Sequence, residues 1–210
     1  ERLVTALAEG PPGTLWVGTA TVGLARLDLA SGRYLPVPAT RHREAAAARQ
    51  VLALLHQPGL GLWIGSHAGI EFLADGAQER RVVHELAEPG SAFGPRMLLG
   101  FALTTDGRVH VAMRDGVWRL EPDAPPERLD GSADIGVEAI APAEGGGLWV
   151  KGAGGLYLQP PGAALELRIA AEALPEGMTV HPALVADGHG GLWYGIAGRG
   201  LVRFDTRLGT

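Results

Sequence analysis

Seven histidines, with 18 Lys and Arg and 23 Asp and Glu, supply most of the side chains of this 210-residue chain that could move protons, hold a metal or clamp an anion. His42, His56, His67, His84, His110, His181 and His189 include no His-x-His pair and no His-Glu-x-x-His, the spacings that bring two imidazoles to one ion. No metal site and no cofactor are expected. Cysteine is absent, which removes disulfides, thiolate metal sites and thiolate nucleophiles together. There is no Gly-x-Ser-x-Gly elbow, phosphate loop or dinucleotide fingerprint. The glycine clusters at 145–147 and 188–191 lie inside a repeated phrase rather than between a strand and a helix. The chemistry left to these residues is recognition, so this region is expected to be non-catalytic.

The elements that must position the polar residues follow from an internal repeat. Gly13-Thr14-Leu15-Trp16-Val17-Gly18-Thr19 returns as Gly61-Leu62-Trp63-Ile64-Gly65-Ser66, then as Gly147-Leu148-Trp149-Val150-Lys151 and Gly191-Leu192-Trp193-Tyr194-Gly195. A weaker copy, Gly107-Arg108-Val109-His110-Val111, fills the remaining interval. Aligning Trp16, Trp63, His110, Trp149 and Trp193 gives spacings of 47, 47, 39 and 44 residues, the length of a propeller blade. An apolar run precedes each phrase and a Gly-Leu, Gly-Ile or Gly-Val segment with period-two alternation follows it, as in Gly23-Leu24-Ala25-Arg26-Leu27 and Gly200-Leu201-Val202-Arg203-Phe204. These read as the first three strands of a blade, and a weaker fourth is visible at 32–37, 79–84 and 164–169. The fold class is therefore all-β: a β-propeller of about five four-stranded blades, near 1–50, 51–97, 98–136, 137–182 and 183–210, the last incomplete. At about 44 residues per blade, a seven-bladed ring needs roughly 310 residues, so a part of a larger ring is expected, able to self-associate through its open blade faces.

Composition agrees. Thirty-two Gly and 15 Pro against three Tyr and four Phe favour many tight turns and short strands. A net charge of -5 without a basic run gives no footprint for nucleic acid or anionic lipid, and no apolar stretch approaches the length of a membrane span. The segment 39–50 is rich in helix formers and suits a short helix with Thr40 at its N-cap. The turns between second and third strands, with the long connections between blades, share one face, where rigid blades present variable loops. His67, Arg114, Asp115 and Arg199 stand in those turns, with Lys151 just before one. Converging on one rim, they would hold an anionic or hydroxyl-rich small ligand. The alternative is a set of solvated turn residues, with Arg114 and Asp115 as a surface pair worth little.

An apolar strand, then Asp/Glu-Gly-x-Gly-Leu-Trp-Ile/Val-Gly-Thr, then Gly-Leu-x-Arg-Phe/Leu-Asp resembles the two-component regulator propeller repeat, best at Glu9 to Asp28 and Asp187 to Asp205. The chain departs from it at His110, where the repeat has Trp, and at Lys151, where it has a Gly with easy access to positive φ. The resemblance implies a periplasmic, signal-sensing region of a bacterial membrane-bound hybrid histidine kinase or diguanylate cyclase, with an unidentified small molecule or saccharide as signal. Two alternatives share the fold: a protein-interaction propeller, and a streptogramin-lyase-like enzyme, whose repeat favours Trp-Phe-Thr-Glu where this chain has Trp-Val-Gly, Trp-Ile-Gly, Trp-Val-Lys and Trp-Tyr-Gly. At the aligned position, His110 is expected to be packed between blades and neutral, because burial disfavours its charge.

Overall fold

The computed structural model describes residues 3–38, 50–85, 97–174, 184–196 and 200–207. The fold is a β-propeller, with five antiparallel sheets as its blades. Blade 1 comprises β1 (Val4–Glu9), β2 (Thr14–Thr19), β3 (Leu24–Asp28) and β4 (Tyr34–Val37). Blade 2 comprises β5 (Val51–Gln57), β6 (Gly61–Ser66), β7 (Gly69–Ala74) and β8 (Arg81–Glu85), and blade 3 β9 (Leu98–Leu103), β10 (Val109–Met113), β11 (Gly116–Glu121) and β12 (Ala124–Arg128). Blade 4 holds β13 (Ala139–Pro142), β14 (Leu148–Gly152), β15 (Gly155–Gln159) and β16 (Glu166–Ala170). Blade 5 has three strands among the described residues, β17 (Leu184–Ala186), β18 (Gly191–Ile196) and β19 (Gly200–Asp205). Within each sheet neighbours in sequence are neighbours in space, so every blade is a meander. Blade 3, for which the sequence shows no fourth strand, has one in β12. The helix expected at 39–50 lies outside the described residues except for Gln50.

The chain divides into two compact units, one of residues 1–98 with 121–126, the other of 99–120 with 127–210. In the first, Trp16, Leu24, Val51, Leu62, Ile64 and Leu73 form a core between blades 1 and 2. In the second, Ala112, Val117, Val137, Leu148 and Val150 fill the space between blades 3 and 4, and Leu156, Leu184, Leu192, Tyr194 and Phe204 that between blades 4 and 5. A sheet covered on both faces needs apolar residues at successive positions rather than at alternate ones. Hence β6 and β10 are buried along their whole length. Trp63 shows why the phrase carries an indole: it is fully buried, lies 4.8 Å from the Phe72 ring, and donates its N–H to Gln57 Oε1 at 3.0 Å.

The other constants of the repeat have local causes. The acid that opens the phrase caps the turn it precedes: Asp187 Oδ1 accepts the backbone N–H groups of His189 and Gly191, and Oδ2 accepts Arg203 Nε at 2.8 Å. The Arg203 hydrogen bond, followed by those two amides, holds the Asp187 carboxyl below the usual carboxylate range. The glycine after Trp-Val serves space, not dihedral freedom. Gly18 lies outside the left-handed region, but a Cβ there would approach Val51 Cγ1 of the next blade to 2.5 Å. Lys151, at the corresponding position of blade 4, also keeps φ out of the positive region, so the strand continues unbroken through it. The glycine that opens each third strand does serve dihedral freedom. Gly23, Gly69, Gly116, Gly155 and Gly200 all have positive φ, and at Gly155 (φ +136°) a Cβ would fall on the Ile169 carbonyl oxygen. Gly155→Ala is expected to destabilise by about 1–3 kcal/mol, the usual cost of a forced backbone region; an unchanged urea midpoint would contradict this.

Candidate functional site

His67 is half-buried in the turn joining β6 and β7, in the first unit. Arg114 is exposed and Asp115 half-buried in the turn between β10 and β11, in the second unit. Lys151, in the same unit, is buried: its ammonium donates to Glu138 Oε2 at 3.1 Å and to the Gly152 carbonyl at 2.6 Å. Its hydrogen bonds thus run to its own blade. Arg199 lies outside the described residues.

The second unit holds another polar site, at the opposite end of the same strand. Arg108 precedes β10 and Arg114 follows it, roughly 20 Å away at the ordinary rise of a strand. Around Arg108 a cleft of about 310 Å³ opens between blades 3 and 4, lined by His110, Arg119, Arg128, Asp130 and Gln159 among others. The β10–β11 register sets His110 opposite Arg119, and β12 brings Arg128 to the same wall. Two of the guanidiniums have carboxylate partners: Arg108 pairs with Asp106 at 3.3 Å, and Arg119 with Glu127. Arg128 makes no ion pair among the described residues and lies 5.8 Å over the Trp118 ring.

His110 stands at the wall of this cleft, 5% exposed, and its Nδ1 is buried with no partner among the described residues. Burial pushes the imidazole down to about 4; Asp106 opposes the shift, while Arg108 and Arg119 add to it. The expectation of a packed, neutral imidazole is met. The sign of its linkage follows: folded pKa below unfolded pKa means stability present above pH 6.5 and lost as pH falls from 6.5 toward 4. The loss amounts to at most about 3 kcal/mol at 1.36 kcal/mol per pKa unit. Urea midpoints between pH 7 and 4 are expected to fall more steeply for the parent than for His110→Gln; parallel curves would contradict the assignment.

In blade 1 the same register sets Trp16 opposite Arg26, and the equivalent space between blades 1 and 2 is about 200 Å³. Size and an unpartnered nitrogen do not set His110 apart: Trp149 lines a space of about 320 Å³ between blades 4 and 5, and Trp16 Nε1 is also buried without a hydrogen-bond partner among the described residues. Sequence reading singled out His110 as a departure from the repeat but not the arginines around it, which are scattered over 108–128 and converge only through strand register.

Comparison with known proteins places the fold. No family model matches the chain, and no curated protein matches it. Solved structures do. The extracellular domain of the hybrid two-component system BT4673 from B. thetaiotaomicron superposes with a TM-score of 0.70 at 15% identity, covering 96% of this chain and 27% of that one. The corresponding domain of BT3049 from the same organism gives 0.69 at 16%, covering 97% and 28%. Catalytically inactive virginiamycin B lyase from Staphylococcus aureus, with quinupristin, gives 0.65 at 13%, covering 98% and 70%. The chain thus spans little more than a quarter of the two-component domains it matches, and at these identities the likeness is one of fold.

Proposed function

We propose that this chain is a signal-sensing propeller of an extracytoplasmic receptor region, and that it binds its signal without transforming it. The observation that carries the reading is the fold likeness over 96% of the chain to an extracellular domain of a hybrid two-component system, in a sequence whose repeated phrase resembles the two-component regulator propeller repeat. The signal is a small molecule held by polar side chains on the rigid blades. In the second unit, Arg114 and Asp115 offer a polar turn at one end of β10 and the His110 cleft a second site at the other. No helix among the described residues is long and apolar enough to cross a membrane.

The test is location. Alkaline phosphatase fused in frame after Thr210 in the natural gene is expected to be active, as it is only outside the cytoplasm. An inactive fusion beside a fluorescent cytoplasmic one would overturn the reading. The lyase likeness supports a second reading, in which the propeller is an enzyme. Incubated with quinupristin and a divalent cation, the chain is expected to leave the mass of the compound unchanged, and a converted product would move the reading to catalysis.

A further inference from the structure

We infer that one face of blade 1 and one face of blade 5 are the two halves of a single interface, through which copies of this chain join head to tail. The partner on each face is a second copy of the chain.

The contacts inside each compact unit show how two blades meet. In the first unit, blade 1 presents Ala8, Trp16 and Leu24, and blade 2 receives them with Val51, Leu54, Leu62, Ile64 and Leu73. In the second, blade 4 presents Ala141, Trp149 and Leu156, and blade 5 receives them with Leu184, Leu192, Tyr194 and Phe204. The positions correspond by strand pairing. Ala8 lies opposite Trp16 and Ala141 opposite Trp149; Leu54 lies opposite Ile64 and Leu184 opposite Tyr194. A blade therefore has an indole face and a receiving face, and the two are different surfaces.

Blade 1 also has a receiving face, and blade 5 an indole face. Pairing sets Val4, Leu7, Leu15 and Leu27 at the positions that Val51, Leu54, Leu62 and Leu73 hold in blade 2. Val51 is fully buried, whereas Val4 is 50% exposed and Leu7 is exposed beside it. In blade 5, Val185 lies opposite Trp193 as Ala8 lies opposite Trp16, and Leu201 lies opposite Gly195 as Leu24 lies opposite Gly18. Leu24 is 1% exposed and Leu201 68%, with Val185 exposed too. Single apolar side chains on a surface are ordinary. These fall on the register positions that bury apolar surface elsewhere in the chain, which marks them as an interface.

A small residue facing a valine recurs at such contacts. A Cβ on Gly18 would meet Val51 of the next blade at 2.5 Å, and Ala112 and Val137 share the core between blades 3 and 4. Gly195 holds the Gly18 position in blade 5, and a Cβ there would meet nothing within 4 Å. Val4, at the Val51 position, is the residue that fits this space when a second copy docks. What covers such a face is thus on view inside the chain: a blade of the same repeat with its other face turned inward. One further copy supplies the missing half at either end. Because the halves differ, the contact is heterologous, and a dimer that does not close keeps one free face of each kind.

Sedimentation equilibrium of the 210-residue chain from about 1 to 300 µM tests this. The weight-average mass is expected to rise above that of one chain as concentration increases. Leu7→Glu and Leu201→Glu, both at exposed positions, should each be monomeric with the melting temperature of the parent measured at low concentration. Mixed in equal amounts, they should form a 1:1 dimer and nothing larger, because the first keeps its indole face and the second its receiving face. Gly195→Phe adds apolar surface yet fills the space that Val4 needs, so it should abolish association, whereas general stickiness would increase. A parent that stays monomeric throughout, association of either glutamate variant alone, a mixture that remains monomeric, or Gly195→Phe associating as the parent does would each overturn the inference. If a glutamate variant does not fold, Val4→Lys or Val185→Lys replaces it with the same expectation. The inference does not depend on what the propeller senses, and a monomeric chain would leave the location test of that reading untouched.

Discussion

Glu71→Ala is expected to lower the stability of the chain by about 3–5 kcal/mol, the cost of leaving a buried charge without its partner. Glu71 lies on β7 and Arg80 just before β8; their side chains are 1% and 2% exposed, with Nη1 to Oε2 at 3.3 Å. Arg80 Nη2 also reaches the Val37 carbonyl at 2.5 Å, so one guanidinium ties the outer strand of blade 1 to blade 2. Removing the carboxylate strands that guanidinium in the interior. Desolvation already lowers the Arg80 pKa, with Glu71 working against it. Replacing both partners by Leu and Met should recover most of the loss, because a well-packed apolar pair is often as stable as a buried ion pair. Urea denaturation of the single and double variants measures this; a single variant within about 1 kcal/mol of the parent would show that the pair is solvated in solution.

The second large effect is expected at the phrase itself. Trp63→Ala should cost about 3–5 kcal/mol, the range for emptying a large aromatic from a core. Trp63 is fully buried, tilted against Phe72, and hydrogen-bonded to Gln57, so neither solvent nor a neighbour can collapse into its place cheaply. Trp193 occupies the same position of the repeat but is only half-buried. Its replacement by alanine should cost distinctly less. Equal losses at the two positions would contradict the view that the burial of the indole, rather than the strand alone, sets the energy of the phrase.

Much of this was legible in the sequence because a repeat states its fold several times over. The position of each Trp phrase and of each following Gly-Leu segment set the second and third strands of all five blades. The fourth strand of blade 3 was not legible. Pro125 and Pro126 lack the amide hydrogens a ladder uses, and only the place of β12 at the edge of its sheet lets a strand form there. Site residues were harder. Turn positions can be counted from the repeat, but whether a side chain faces water or its own blade cannot. Lys151 is buried because Glu138 and the Gly152 carbonyl take up its ammonium, and Glu138 is thirteen residues away, on the approach to β13. The lining of the His110 cleft is brought together by strand register, which is not written in local composition.

Signal sensing by the propeller is tested most directly through the cellular response that depends on it. In the natural host, codons for residues 1–210 would be removed in frame from the chromosomal gene, and transcripts and cyclic-di-GMP compared with the parent across a panel of carbon sources. A response to one or a few compounds in the parent, lost or fixed in one state in the deletion strain, is expected. Identical, compound-dependent responses in the two strains, with the shortened protein present in normal amount, would contradict it.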